Sequence, residues 1–248
     1  MKKPYIKKYC TFAGFDVWIV DGNYIRTNVN EEFTNFGHHY RFDFIPYNEL
    51  WIDEEHGGDD EKKYYIDSMV SLINALKKGF SYSDAVRIAD IIERRERSKD
   101  DFILGKMNKY EHDEELIKKI RKTLLKKYSG KVSVWIVNGR LVRDKLFVDF
   151  TEGGHDKVYP FIPENEIWID DDISVEERKF ILLHEIHERN KMVEGWCYYV
   201  DEKRKRVINK GVHHSAHMSA SFIEHHCRLH PKEIEEYLKK EIELSERI

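Results

Sequence analysis

Residues 17–53 and 134–170 are nearly the same text written twice. One runs from VWIVDGNYIR to FIPYNELWID and the other from VWIVNGRLVR to FIPENEIWID, and at a constant offset of 117, without a gap, 18 of 37 positions are identical. Coincidence does not give such agreement, so the chain reads as a tandem duplication, and each copy has to build the same unit. With 248 residues there is room for two units of roughly 100 to 120 residues, each able to bury a core. The division that follows is 1–98 as a first repeat, 99–130 as a linking amphipathic helix, 131–230 as a second repeat and 231–248 as a C-terminal amphipathic helix.

Within a repeat, VWIV is followed by Asp21-Gly22 or Asn138-Gly139 and a second apolar run reaching Arg26 or Arg143. Such dipeptides between β-branched runs favour a two-residue hairpin turn. A further hairpin-like segment passes through Gly37-His38 or Gly154-His155 into ELWID or EIWID, so each unit is expected to open with a small antiparallel sheet. Helices then close it. Ser174 and Glu177 have capping-box spacing before a helix over 174–193 that Gly195 stops, and a last helix over 213–229 ends before Pro231. The first repeat matches this with helices over 60–78 and 83–97 around Gly79, and lacks the strand-like WCYYVDEKRKRVINKGV insertion. The predicted class is α+β, with the two amphipathic segments bracing the units or giving a homo-oligomer surface.

Composition narrows the setting. The 46 acidic against 42 basic residues give a net charge of −4, with no global attraction to nucleic acid or an anionic membrane. The basic run DEKRKR at 201–206 reads as a solvated hairpin tip. Cys10, Cys197 and Cys227 form no CxxC pair and no even framework, which suits a reducing, cytoplasmic location, and no apolar run is long enough to span a bilayer.

The duplication also supplies a comparison inside one chain. Placing Gly79 on Gly195 sets Ser68, Met69 and Leu72 against His184, Glu185 and Glu188, and the last helices align so that Val86 faces His217 while Glu93 and Arg97 match Glu224 and Arg228. Packing common to both repeats does not explain polar residues kept by one. His184 and Glu188, four apart on a helix, point the same way and can share one cation. His217 supplies a third ligand from the next helix, and three protein ligands leave a position open for water. Glu224 is a less certain fourth, since its spacing to Arg228 equally suits a helical ion pair. His187 is an alternative to His184, and Gly154-His155 is a segment that could approach the metal, although Gly37-His38 in the first repeat argues for a turn role. His213, His214, His225, His226 and His230 read as exposed or as outer partners. A carboxylate-bridged di-iron bundle is disfavoured, because the only Glu-x-x-His spacing is Glu152 to His155 in a glycine loop.

A strand followed by a helix carrying His-Glu-x-x-ligand, with another ligand farther on, resembles the zincin metallopeptidases over about residues 164–224, in an HExxE variant. The resemblance implies zinc or another divalent metal held by His184, Glu188 and His217, with Glu185 as general base and a peptide or protein substrate. EIWID, next to the metal helix, would be the edge strand to which an extended peptide adds. The alternative function is a binding or assembly module in which the metal only staples two helices.

Overall fold

A computed structural model describes residues 4–55, 58, 61–100, 113–196, 198 and 215–248, with backbone alone at 98–100. The chain separates into two compact units, one of residues 1–110 with 140–151, the other of 111–139 with 152–248. Residues 140–151, which the sequence boundary places in the second repeat, thus group with the first unit.

In the first unit, β1 (Tyr5–Phe12) and β2 (Phe15–Val20) pair antiparallel around Ala13-Gly14, α1 (Gly22–Asn28) follows, and β3 (Phe36–His38) and β4 (Glu49–Asp53) complete a sheet of order β1-β2-β4-β3. β2 and β4 run parallel, with Trp18 opposite Trp51, and β3 is antiparallel to β4. Side chains alternate across the strands. Val17, Ile19, Leu50 and Ile52 meet Tyr65, Met69 and Ile73 of α2 (Lys62–Lys77), whereas Val20 and Trp51 pack with Ile25, Phe33 and Phe42 on the other face. Helix α3 (Tyr82–Asp100) packs on α2 through Ala85 and Ala89.

The second unit repeats the sheet. After α4 (Glu114–Ile120) come β5 (Arg121–Leu124) and β6 (Ser133–Val137); the helical segment α5 (Gly139–Lys145), all but its first residue grouped with the first unit, leads on to β7 (Gly153–His155) and β8 (Glu166–Asp170), and the sheet order is β5-β6-β8-β7. Again the central pair is parallel, with Trp135 opposite Trp168. Val134, Ile136, Ile167 and Ile169 bury against Ile181, Leu183 and Ile186 of α6 (Arg178–Val193), Cys227 of α7 (Ala216–Leu229) and Leu238 of α8 (Ile234–Arg247).

The α+β class therefore holds, and both sheets are mixed rather than antiparallel. Asp21-Gly22 is not a hairpin turn. Asp21 caps α1 by accepting the Tyr24 N–H at 2.8 Å, and the helix carries the chain across to β4. Gly22 is required because a Cβ there would overlap the buried Asp53 carboxylate, which bonds Arg26 at 2.6 Å; Gly139 stands in the same relation to Asp170. The described part of the linking helix is the short α4, then β5 and a 3-10 turn, because an edge for β6 is satisfied there. EIWID is no edge strand either, since β8 lies between β6 and β7 with all five residues buried. Helix α6 begins at Arg178, not 174. Ser174 Oγ does accept the Glu177 N–H, at 3.3 Å, but the Glu177 carboxylate turns to Arg228. Gly195, at φ +96°, ends α6 as expected, with the Trp196 N–H returning to the Lys191 carbonyl at 2.9 Å. Residues 199–214, including the DEKRKR tip, His213 and His214, lie outside the described residues, as do Cys197 and 101–112 of the expected linking helix. Among the described residues, no helix is long and apolar enough to cross a membrane.

Gly22→Ala should lower the unfolding free energy by about 1–3 kcal/mol, the usual cost of overpacking a filled site, read from the urea midpoint. An unchanged midpoint would show that Asp53 can move aside.

Candidate metal centre

Four elements of the second unit deliver the site: α6 brings His184, Glu185 and Glu188, α7 brings His217 and Glu224, β7 brings His155, and the turn before α6 brings Glu177. His184 Nε2 lies 3.2 Å from His217 Nδ1, His217 Nδ1 lies 2.8 Å from Glu188 Oε2, and His184 Nε2 lies 3.5 Å from that same oxygen. Nitrogen and oxygen ligands about 2.0–2.2 Å from a tetrahedral zinc stand about 3.3 Å from one another. The three donor atoms thus already occupy one triangular face of such a site, and His184, Glu188 and His217 form one of the groups able to hold an ion. Their chemistry, two imidazoles and a carboxylate, suits zinc or a comparable divalent cation.

Glu224 is not on that face. Its Oε2 is 2.8 Å from His184 Nδ1, on the far side of the ring, and its Oε1 accepts from Arg228 Nε at 2.8 Å. The expected fourth ligand is therefore an outer partner. A carboxylate on Nδ1 fixes the tautomer that leaves Nε2 available, the usual arrangement behind a metal-binding histidine. Arg228 is shared with Glu177, so the acid that looked like part of a capping box anchors the same chain of contacts. The i, i+4 pairing of Glu224 with Arg228 is present, and so is its counterpart, Glu93 with Arg97 at 3.0 Å.

His187 points elsewhere. Its Nδ1 is 2.8 Å from Glu241 Oε1 and its Nε2 2.9 Å from Ser219 Oγ, while Asn190 Nδ2 holds the other Glu241 oxygen at 2.8 Å, so this face of α6 binds α8 and α7. His226 pairs with Glu233 at 3.0 Å near the surface. His155, completely buried on β7, places Nε2 2.9 Å from Glu188 Oε1. From the sequence, its approach to the metal is weighed against a turn role, because His38 occupies the same place in the first repeat. A better signal was Gly153, which replaces Phe36: in the first unit the Phe36 ring stacks on Tyr65 of α2, whereas a Cβ at Gly153 would meet Ile181 at 2.9 Å and Glu185 at 3.2 Å. The glycine lets β7 approach α6 closely enough for His155 to reach Glu188.

Charge is concentrated here. Burial acts against ionising Glu188, but hydrogen bonds from His155, His184 and His217 outweigh it and hold the carboxyl well below its ordinary range. Burial likewise opposes a charged His184, and hydrogen bonds to Glu188 and Glu224 reverse this and raise it well above 6.5. Glu185 is different: burial first, and the Glu188 charge next, push it up to about 8, and its carboxylate accepts no hydrogen bond among the described residues. Hydrogen bonds between these imidazoles and carboxylates hold protons among the donor atoms, and a cation bound there would have to displace them.

Comparison with known proteins found no matching family model, no matching curated protein and no matching solved structure.

The first unit shows the same frame without the ligands. Arg97 bonds Glu61 at 2.7 Å and Glu93 at 3.0 Å, and Ser68, where the second repeat has His184, bonds Glu93. Burial is the main reason that Glu93 is pushed up to about 7, whereas in Glu224 the pull of Arg228, followed by the His184 hydrogen bond, overcomes burial and lowers it to about 2. The linkage has opposite signs. Folded Glu93 keeps a proton that the unfolded chain releases near 4.5, so this stabilisation is complete below pH 4.5 and disappears as pH rises to 7. Wild-type protein should therefore lose about 2–4 kcal/mol across that window relative to Glu93→Gln, at about 1.4 kcal/mol per pH unit. Urea unfolding at pH 5 and 7.5 measures the difference, and parallel profiles would refute it.

Proposed function

We propose that the second unit is a metal-dependent hydrolase acting on amide or ester carbonyls, in the manner of an HExxE zincin. The observation that carries this reading is the triangle of His184 Nε2, His217 Nδ1 and Glu188 Oε2, with edges of 2.8 to 3.5 Å. A bound divalent cation, zinc by donor type, supplies Lewis acidity for activating water. The chain does the rest. His184, His217 and Glu188 hold the ion, Glu224 and Arg228 orient His184, and Glu185, next to His184 and without a hydrogen-bonded partner among the described residues, accepts the proton. Burial and the Glu188 charge raise this carboxyl in the ion-free site, and a cation beside it would lower it again, leaving a carboxylate able to take up a proton.

The alternative, a four-ligand staple, wants a closed site. The His184 and His217 side chains keep 12% and 21% of their exposure, and Glu224, the natural fourth ligand, is engaged on the wrong side of the ring. These points favour the open, catalytic arrangement. Peptide or protein substrates remain the proposed class, although the interior position of β8 removes strand addition to EIWID as the means of binding them. The proposal extends to history: the offset of 117 and the matching sheet registers support a tandem duplication in which only the second copy keeps a reactive centre.

Purified protein should bind one zinc or cobalt ion per chain, and His217→Ala should lose it. Glu185→Gln should retain the ion yet lower hydrolysis about 10²–10⁴-fold, measured on substrates found by screening chromogenic amides and esters. If Glu185→Gln hydrolyses as fast as wild type, or if chelation lowers the melting temperature while no substrate is ever turned over, the hydrolase reading fails.

A further inference from the structure

The second group able to hold an ion, His155, Glu185 and Glu188, shares Glu188 with the first. Two overlapping groups joined by one carboxylate would suit a pair of ions bridged by Glu188, one oxygen to each. Hydrogen bonding around His155 argues otherwise. Its Nδ1 lies 3.1 Å from the Lys157 backbone nitrogen, which can only donate, so Nδ1 carries the lone pair and the ring proton sits on Nε2. Nε2–H then donates to Glu188 Oε1 at 2.9 Å. To ligate a cation through that nitrogen, the ring would have to surrender its remaining proton.

We infer that His155 is a positioning residue for the metal centre: by occupying Glu188 Oε1 it presents Oε2 alone to the cation, and so keeps the site to one ion with a monodentate carboxylate. The inference rests on the metal reading above and specifies how the ligand set is enforced. The setting is rigid. His155 is fully buried, Gly153 and Gly154 permit no side chain between β7 and its neighbours, and Arg189 of α6 grips Asp156 at 2.6 Å, one residue beyond His155. Glu188 therefore has one oxygen fixed by the sheet and the other between two imidazoles from the helices. Without the His155 donor, the carboxylate is free to rotate, to chelate with both oxygens or to swing towards Glu185.

The test uses Co2+ as probe, with the affinity measured by competition against a chromogenic chelator and the ligand geometry by the visible absorption spectrum. His155→Ala should bind about 10–100-fold more weakly, the usual effect of losing an outer-shell partner, with an altered spectrum. His155→Gln, whose amide N–H replaces the Nε2 donor, should recover most of the affinity and the wild-type spectrum. Circular dichroism identifies variants that have not folded, and the glutamine variant carries the test if alanine fails. Equal affinity in wild type and a folded His155→Ala overturns the inference, as does a folded glutamine variant as weak as alanine. Two ions in wild type and one in His155→Ala would make His155 a ligand instead. Wild type that binds no Co2+ or Zn2+ sinks the metal reading itself, and this inference with it.

Discussion

In each unit an arginine on the last helix of the repeat is buried among acidic side chains from different segments, Arg97 among Glu61, Glu93 and Asp144, and Arg228 between Glu177 and Glu224. Burying such a charge is tolerable only with its partners in place, and removal of one typically costs about 3–5 kcal/mol. The pairing therefore fixes how the two helices meet, and it spends one oxygen of Glu93 or Glu224 while leaving the other free. What else meets that carboxyl differs between the units. Ser68 bonds Glu93 in the first, and in the second His184 Nδ1 meets the Glu224 oxygen that Arg228 leaves, an arrangement that would turn the far ring nitrogen towards a cation if one is held there.

Fold and site were legible to different depths. The apolar runs VWIV and ELWID marked the strands, and Gly79 and Gly195 marked the helix ends, because both signals are local. Strand direction was not legible. Asp21-Gly22 has the chemistry of a hairpin turn, and only the long-range need of Asp53 for space beside Gly22 makes it a helix start. For the site, differences between the repeats isolated His184, Glu185, Glu188 and His217, since shared packing could not account for them. Residues that both repeats retain, such as His155 and Glu177, were invisible to that comparison. Their roles arise from what they meet: His155 meets a carboxylate only where Glu188 replaces Leu72.

Helix α6 is unusual in having specific polar partners on several sides. His184 and Glu188 face α7 and β7, Arg189 reaches Asp156 and Asn165, and His187 and Asn190 reach Glu241. Non-directional apolar packing would tolerate small rotations of such a helix. Directional bonds on three sides restrict it to one orientation, which a constellation with tolerances of a few tenths of an ångström needs.

One of those partners arrives late. Glu241 on α8 lies 54 residues beyond His187 and binds both it and Asn190. The setting of α6 is therefore tied to a segment far downstream, and truncation of the chain before Glu241 would strip both His187 and Asn190 of this partner.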